Sequence, residues 1–307
     1  MEDIIKTVNL TKHYGRVGAV EGLSLSIRRG EVYAFLGLNG AGKTTTIRML
    51  LGMIRPTGGE SFIDGTRVDA GSYRLWEDIG YLVEVPYSYS QLTVRENLDL
   101  VRKLRGIDDG KRVDEIIDML GLGPYRDRKA RALSLGNAQR LGLAKAMIHE
   151  PAILMLDEPA NGLDPAGIVE IRGLLRNLAE EKGVTVFISS HILGEVARLA
   201  DRIGIIHEGK LVQEVNAGEL HMYLRKRLLV DSRDRKALSA RLGQMGYAAA
   251  YAEEGVLEVR EDDACGNPEL VNERLVKAGV LPTLLQVEEE DLESYFLRVI
   301  GVEGGAA

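Results

Sequence analysis

Three apolar runs stand out from an otherwise mixed chain: Val32-Tyr33-Ala34-Phe35-Leu36, Ala152-Ile153-Leu154-Met155-Leu156 and Val184-Thr185-Val186-Phe187-Ile188. Each lacks the apolar-polar alternation of a half-exposed strand, so each reads as a strand of a parallel sheet buried on both faces. Ile79 to Val83 reads as a further strand. Ile4 to Leu10 and Leu23 to Ile27 do alternate, which predicts an antiparallel flank beside that core. Helical periodicity appears in Thr45 to Leu51 and in Asn137 to Ile148. It appears again in Val94 to Leu104 and Lys111 to Leu120, within a helix-rich stretch from Leu92 to Met147.

Beyond Gly218 the pattern changes. Leu228 to Asp231, Lys236 to Met245, Ala248 to Glu253, Val256 to Glu261, Pro268 to Ala278, Leu284 to Glu288 and Leu292 to Ile300 read in turn as strand, helix, strand, strand, helix, strand and helix. Glu253-Glu254-Gly255 between two strand-like runs is a hairpin signal. The first six elements form the split βαβ order of a small ferredoxin-like α+β module. We therefore divide the chain into residues 1–220 and 221–307. The second part holds no catalytic constellation; its acidic run Glu288 to Asp291 reads as a solvated helix start, and Gly304 to Ala307 as a frayed end.

Composition suits one large or two unequal globular domains: 307 residues, 45% hydrophobic and 28% charged. No apolar run approaches the roughly 18 to 20 residues needed to span a bilayer, and the start Met1-Glu2-Asp3-Ile4-Ile5 is no signal peptide, so a soluble cytoplasmic chain is expected. Cys265, the single cysteine, reads as a structural or surface thiol. Of the net charge of -7, residues 221–307 carry -5, with 11 Lys and Arg against 16 Asp and Glu. Neither part offers the basic face of a nucleic-acid binder; the small cluster Arg225-Lys226-Arg227 reads as a solvated helix end.

The chemistry begins where the first buried run stops. Gly37-Leu38-Asn39-Gly40-Ala41-Gly42-Lys43-Thr44 places three glycines where the backbone must curl and aim successive N–H groups at phosphate oxygens. Lys43 can reach the β- and γ-phosphates of a nucleoside triphosphate, Thr44 can ligate Mg²⁺, and the helix that follows, from Thr45, turns its positive end toward the anion. The other runs also end in polar residues: Asp157-Glu158 after the second and Ser189-Ser190-His191 after the third. Ligands of open α/β sheets bind beyond the carboxyl ends of strands, so these groups can converge on the phosphate loop. Phosphoryl transfer needs charge neutralisation and an oriented water. Asp157 suits the Mg²⁺ shell, Glu158 the orientation and deprotonation of the attacking water, and His191 a contact to the γ-phosphate.

Subclass rests on Leu133-Ser134-Leu135-Gly136-Asn137-Ala138-Gln139-Arg140, whose Ser134 lies 23 residues before Asp157. Ser134 is a good helix N-cap, Gly136 permits close backbone approach, and the helix end faces an anion. This stretch resembles the signature of ATP-binding-cassette ATPases, and the resemblance spans residues 4 to 220. It implies a P-loop NTPase fold with a mainly parallel core sheet, an antiparallel flank and a helical subdomain. It further implies that Tyr14, 29 residues before Lys43, stacks on adenine. Gly37, Asn39, Gly40, Ala41, Gly42, Lys43, Thr44 and Thr45 would hold ATP in one cassette, capped by Ser134 and Gly136 of a second, head-to-tail copy. Asn161-Gly162-Leu163-Asp164 matches the loop that links the two sites. The groove beside Tyr87 and Tyr89 would receive a coupling helix of a transmembrane permease subunit, which places the chain at the inner face of the membrane.

Departures from the family pattern point to a subclass. Glu84 stands where the family usually has glutamine after the Ile79 strand, a position that contacts Mg²⁺ and the attacking water, so Glu84 joins the metal and catalytic candidates. With the Leu-Ser-Leu-Gly start and the stretch Asn161 to Ile168, it resembles exporters of the bacitracin-resistance and lantibiotic-immunity type. The rival is a soluble cassette ATPase of translation or DNA maintenance. Translation types carry two cassettes in one chain and repair types insert long coiled coils, whereas only 91 residues separate Lys43 from Ser134 here. A GTPase lacks support, because no Asn-Lys-x-Asp sequence occurs.

Overall fold

The computed structural model describes residues 3–69, 73–84, 86–252 and 255–301, which fall into two compact units, Met1–Gly218 and Glu219–Ala307. In the first unit the core sheet joins β4 (Val32–Leu36), β7 (Ile79–Leu82), β8 (Ile153–Asp157), β9 (Thr185–Ser190), β10 (Arg202–His207) and β11 (Lys210–Asn216). Their spatial order is β11-β10-β4-β9-β8-β7, parallel throughout except for the β10–β11 hairpin. Every residue of β4, β8 and β9 is buried, as their unbroken apolar runs require. Phe187 of β9 anchors the centre, 5.8 Å from the Tyr33 ring and 5.6 Å from that of Phe35.

The flank is a separate antiparallel sheet of β1 (Asp3–Tyr14), β2 (Val17–Leu23), β3 (Ser26–Arg28), β5 (Gly58–Ile63) and β6 (Thr66–Arg67). The alternation of β1 buries Ile5 and Thr7 and exposes Lys6 and Val8, and an irregularity at Asn9, at φ 46, brings Leu10 back inward, fully buried. Helix α1 (Lys43–Leu50) follows β4 directly.

The helix-rich stretch holds α2 (Val94–Leu104), α3 (Lys111–Met119) and α4 (Leu135–Met147). Thr93 closes a capping box with Glu96 at the start of α2, and Ser134 accepts a hydrogen bond from the Asn137 N–H at the start of α4. Asp164 caps α5 (Pro165–Lys182), and the short α6 (Leu193–Val196) follows β9. No described helix is long and apolar enough to cross a membrane.

In the second unit β12 (Lys226–Ser232), β13 (Ala250–Tyr251), β14 (Leu257–Val259) and β15 (Pro282–Glu289) form one antiparallel sheet in the order β13-β14-β12-β15. With α7 (Arg235–Gln244), α8 (Asp262–Gly266) and α9 (Pro268–Lys277) they enclose a core of Leu228, Val230, Leu238, Leu242, Leu257 and Leu275, and α10 (Leu292–Val299) follows β15. Three expectations change here. Arg225-Lys226-Arg227 is no helix end: Lys226 and Arg227 open β12, and Arg227 bridges Glu258 at 3.1 Å and Glu288 at 3.0 Å on the two strands beside it. Glu288 and Glu289 belong to β15, so of the acidic run only Asp291 caps α10. The turn α8 was not expected at all. The hairpin signal at Glu253-Glu254 and the ending Gly304 to Ala307 lie outside the described residues. Cys265 is buried, which pushes its thiol pKa up.

Candidate active site

The phosphate loop leaves β4 and enters α1 through Gly42, at φ 107; a β-carbon there would lie 2.4 Å from the Ala19 carbonyl oxygen. Only glycine fits such a turn. It starts the helix at Lys43, two residues earlier than the Thr45 expected, and so puts the Lys43, Thr44 and Arg48 side chains on the end and face of α1 that meet the strand ends. In the loop Ala41 is buried, Asn39 and Gly40 are exposed, and Thr45 is partly buried.

Lys43 is buried. Its Nζ donates to the carbonyls of Gly37 at 2.6 Å and Leu38 at 3.3 Å and lies 3.2 Å from Glu158 Oε1. That carboxylate oxygen makes no hydrogen bond, so the ion pair is its one stabilising contact among the described residues. Its sister Oε2 lies 2.8 Å from His191 Nδ1. Thr44 Oγ1 donates to Asp157 Oδ2 at 2.7 Å. Asp157 closes β8 rather than following it, and is buried. The fold thus brings Lys43, Thr44, Asp157, Glu158 and His191 together from three segments, as the strand-end argument requires.

Glu158 sits at φ 50, in the left-handed region that non-glycine residues enter rarely. Two groups hold it there, and neither was singled out from the sequence. The Ser189 hydroxyl accepts from the Glu158 N–H at 3.0 Å and donates to Asp157 Oδ1, so one hydroxyl ties both acids. Gln139, buried within α4, donates to the Glu158 carbonyl at 3.3 Å. Both belong to strings already read for other reasons, a strand end and a signature, and only the register Asp157↔Ser189 between β8 and β9 exposes the first role. Nearby, burial raises the Glu195 carboxyl pKa above its ordinary value.

Glu84 also has a positive φ, 61, just beyond β7. It forms an ion pair with Arg48 of α1 rather than with any residue of the Asp157 group. Ser134 and Gly136 lie at the N-terminus of α4, where a β-carbon on Gly136 would sit 2.9 Å from the Gly162 carbonyl oxygen; the signature turn and the Asn161-to-Asp164 loop therefore touch. Tyr14 ends β1 half exposed, with Lys12 Nζ 5.1 Å from its ring centre. Tyr87 and Tyr89 are exposed and meet edge to face at 5.9 Å, held by Lys145, which donates to the Tyr87 carbonyl, and by Asn97, which bonds both backbone groups of Tyr89.

Residues 20–161 match the family described as ABC transporter. The bacitracin transport ATP-binding protein BcrA of Bacillus licheniformis is 42% identical over 311 residues, covering 98% of each chain. The chain belongs to the ABC transporter family. Another relative, the lantibiotic transport ATP-binding protein SrtF of Streptococcus pyogenes, is 39% identical over 211 residues, 69% of this chain and 90% of that one. Among solved structures, a dimeric post-hydrolysis state of an ATP-binding cassette bound to ADP and Pi superposes with a TM-score of 0.65 and 28% identity, over 69% of this chain and 98% of that one. The cassette is thus a P-loop NTPase fold that binds nucleotide, and the BcrA match, at 98% of the chain, includes the second unit.

Proposed function

We propose that this cassette hydrolyses Mg-ATP to drive a separate membrane permease that exports a peptide antibiotic of the bacitracin or lantibiotic kind. The observation that carries the chemistry is the convergence of Lys43, Thr44, Asp157, Glu158 and His191 at the carboxyl ends of β4, β8 and β9. Glu158, with one oxygen steadied by His191 and the other facing Lys43, is placed to orient a water and take its proton. Lys43 would exchange its two loop carbonyls for phosphate oxygens, which are stronger acceptors.

The donors near the loop are a hydroxyl and carboxylates, hard oxygens that suit Mg²⁺. Thr44 and Asp157 would hold the ion, with Glu84 reaching it from β7. No three acidic, His or Cys side chains meet as a metal cage among the described residues, which fits a cation that draws the rest of its oxygens from nucleotide and water. Bound there, it would offset charge on the transferring phosphoryl group.

Ser134 and Gly136 stand apart from Lys43 in the chain and would cap ATP held by a second copy, so two chains complete two sites. Tyr14 would stack on adenine. Tyr87, Tyr89 and the start of α2 would receive the permease, which places the cassette against the inner face of the membrane. Near-full-length likeness to a bacitracin transport protein supports the substrate class.

The test is ATP hydrolysis in vesicles that hold the cassette and its permease. Bacitracin or a lantibiotic is expected to stimulate turnover, and Glu158→Gln to abolish that stimulation. Turnover indifferent to both compounds would overturn the substrate class and leave the ATPase standing.

A further inference from the structure

Helix α1 holds three acids that arrive from neighbouring strand ends. Lys43 lies 3.2 Å from Glu158, Thr44 donates to Asp157 at 2.7 Å, and Arg48 pairs with Glu84. Thr44 and Arg48 are four residues apart and share one helical face. Their acids follow the same logic: β7 and β8 are parallel neighbours, with Leu82 opposite Leu156, so Glu84, two residues past the end of β7, lies beside the end of β8 that Asp157 closes.

Glu84 is oriented by its backbone. Its φ of 61 turns the chain at the end of β7, and the guanidinium that receives its carboxylate is the one cation paired with it among the described residues. The pair is partly exposed, with Arg48 at 34% and Glu84 at 57% of their side-chain surfaces, so it is weak enough to open. Arg48 is therefore a fixed positive charge one turn from the Mg²⁺ candidate Thr44.

We propose that Arg48 is the positioning residue for Glu84: it holds the carboxylate as counter-ion in the nucleotide-free cassette and competes with the incoming metal for it, so that Arg48 sets how much Mg²⁺ contributes to nucleotide binding. The proposal rests on the reading of Glu84 as metal-facing. Its physics is a competition of two cations for one anion. With Arg48 present, metal-free nucleotide meets a neutralised Glu84, and the metal must displace the guanidinium. Without Arg48, metal-free nucleotide meets a bare carboxylate, and the metal finds a ligand already free. Both changes widen the gap between the two binding constants.

The experiment measures binding of a fluorescent, non-hydrolysable ATP analogue to the full chain by anisotropy, once with EDTA and once with Mg²⁺, and takes the ratio of the Kd in EDTA to the Kd in Mg²⁺. Arg48→Gln is expected to raise the ratio about two- to fivefold, the size expected of a partly exposed ion pair. Glu84→Gln is expected to lower it, Arg48→Gln with Glu84→Gln to match Glu84→Gln alone, and Arg48→Lys to stay near the parent. A ratio unmoved by Glu84→Gln overturns the metal-facing reading of Glu84, and the proposal with it. If Glu84→Gln lowers the ratio while Arg48→Gln leaves it unchanged, or shifts it equally with and without Glu84, the Arg48 proposal alone is overturned.

Discussion

Removing one buried hydroxyl should loosen both acids of the site. Ser189 is fully buried; its Oγ donates to Asp157 and accepts from the Glu158 N–H at 3.0 Å. Ser189→Ala takes a hydrogen bond from a carboxylate whose other oxygen, among the described residues, keeps Thr44 alone, a loss of about 1.5–3 kcal/mol. The Glu158 N–H still reaches the Ser189 carbonyl at 3.3 Å, so that end adds less than about 1 kcal/mol. We expect the nucleotide-binding unit to lose about 1.5–4 kcal/mol in all. Trp76 is the single tryptophan and packs edge-on against Tyr81 at 5.2 Å within that unit, so its fluorescence during urea unfolding reports the transition. Hydrolysis should fall roughly 10- to 100-fold, as when the support of a metal-facing group is removed. An unchanged urea midpoint with an unchanged hydrolysis rate would refute the claim that Ser189 positions the pair.

Two further outcomes follow from other residues. Ser134→Arg should stop hydrolysis while leaving ATP binding to the isolated chain intact; mixed in equal amounts with Lys43→Ala, which is also inactive, it should regain roughly a quarter of parental turnover, because each mixed dimer keeps one undamaged site. No recovery would contradict two independent shared sites. His149 donates Nε2–H to the Ile79 carbonyl and leaves Nδ1 buried without a hydrogen-bond partner among the described residues, and burial depresses its pKa to about 4. Its neutral ring thus contributes stability that is complete above about pH 6.5 and is lost as pH falls toward 4. His149→Gln should flatten the acid limb of stability followed by Trp76, and an unaltered limb would argue against it.

Much of this arrangement was legible because local signals and the global fold agree. Val32 to Leu36, Ile153 to Leu156 and Thr185 to Ile188 are unbroken apolar runs, and they became the buried strands that carry the site. Ser134 caps its helix as its residue type predicts. The contacts that lie across the fold were not legible. Ser189 reaches Asp157 through strand register, Gln139 reaches Glu158 through helix packing, and Arg48 meets Glu84 over 36 residues of sequence. Arg227 misled for the same reason: the three basic residues are exposed as expected, but they lead into a strand rather than end a helix, and Arg227 meets Glu258 and Glu288 of the adjacent strands. The left-handed turns at Glu84 and Glu158 were equally hidden, since glutamate gives no sign of positive φ.

Glu158 is the group proposed to prepare water for attack, and Glu158→Gln tests that role most directly. The amide keeps the shape of the side chain but cannot take up a proton, so the variant should bind ATP as the parent does while turnover falls about 10²- to 10⁴-fold. ATP should then accumulate a dimer visible by size-exclusion chromatography. Hydrolysis at the parental rate by a variant that binds ATP normally would contradict the assignment.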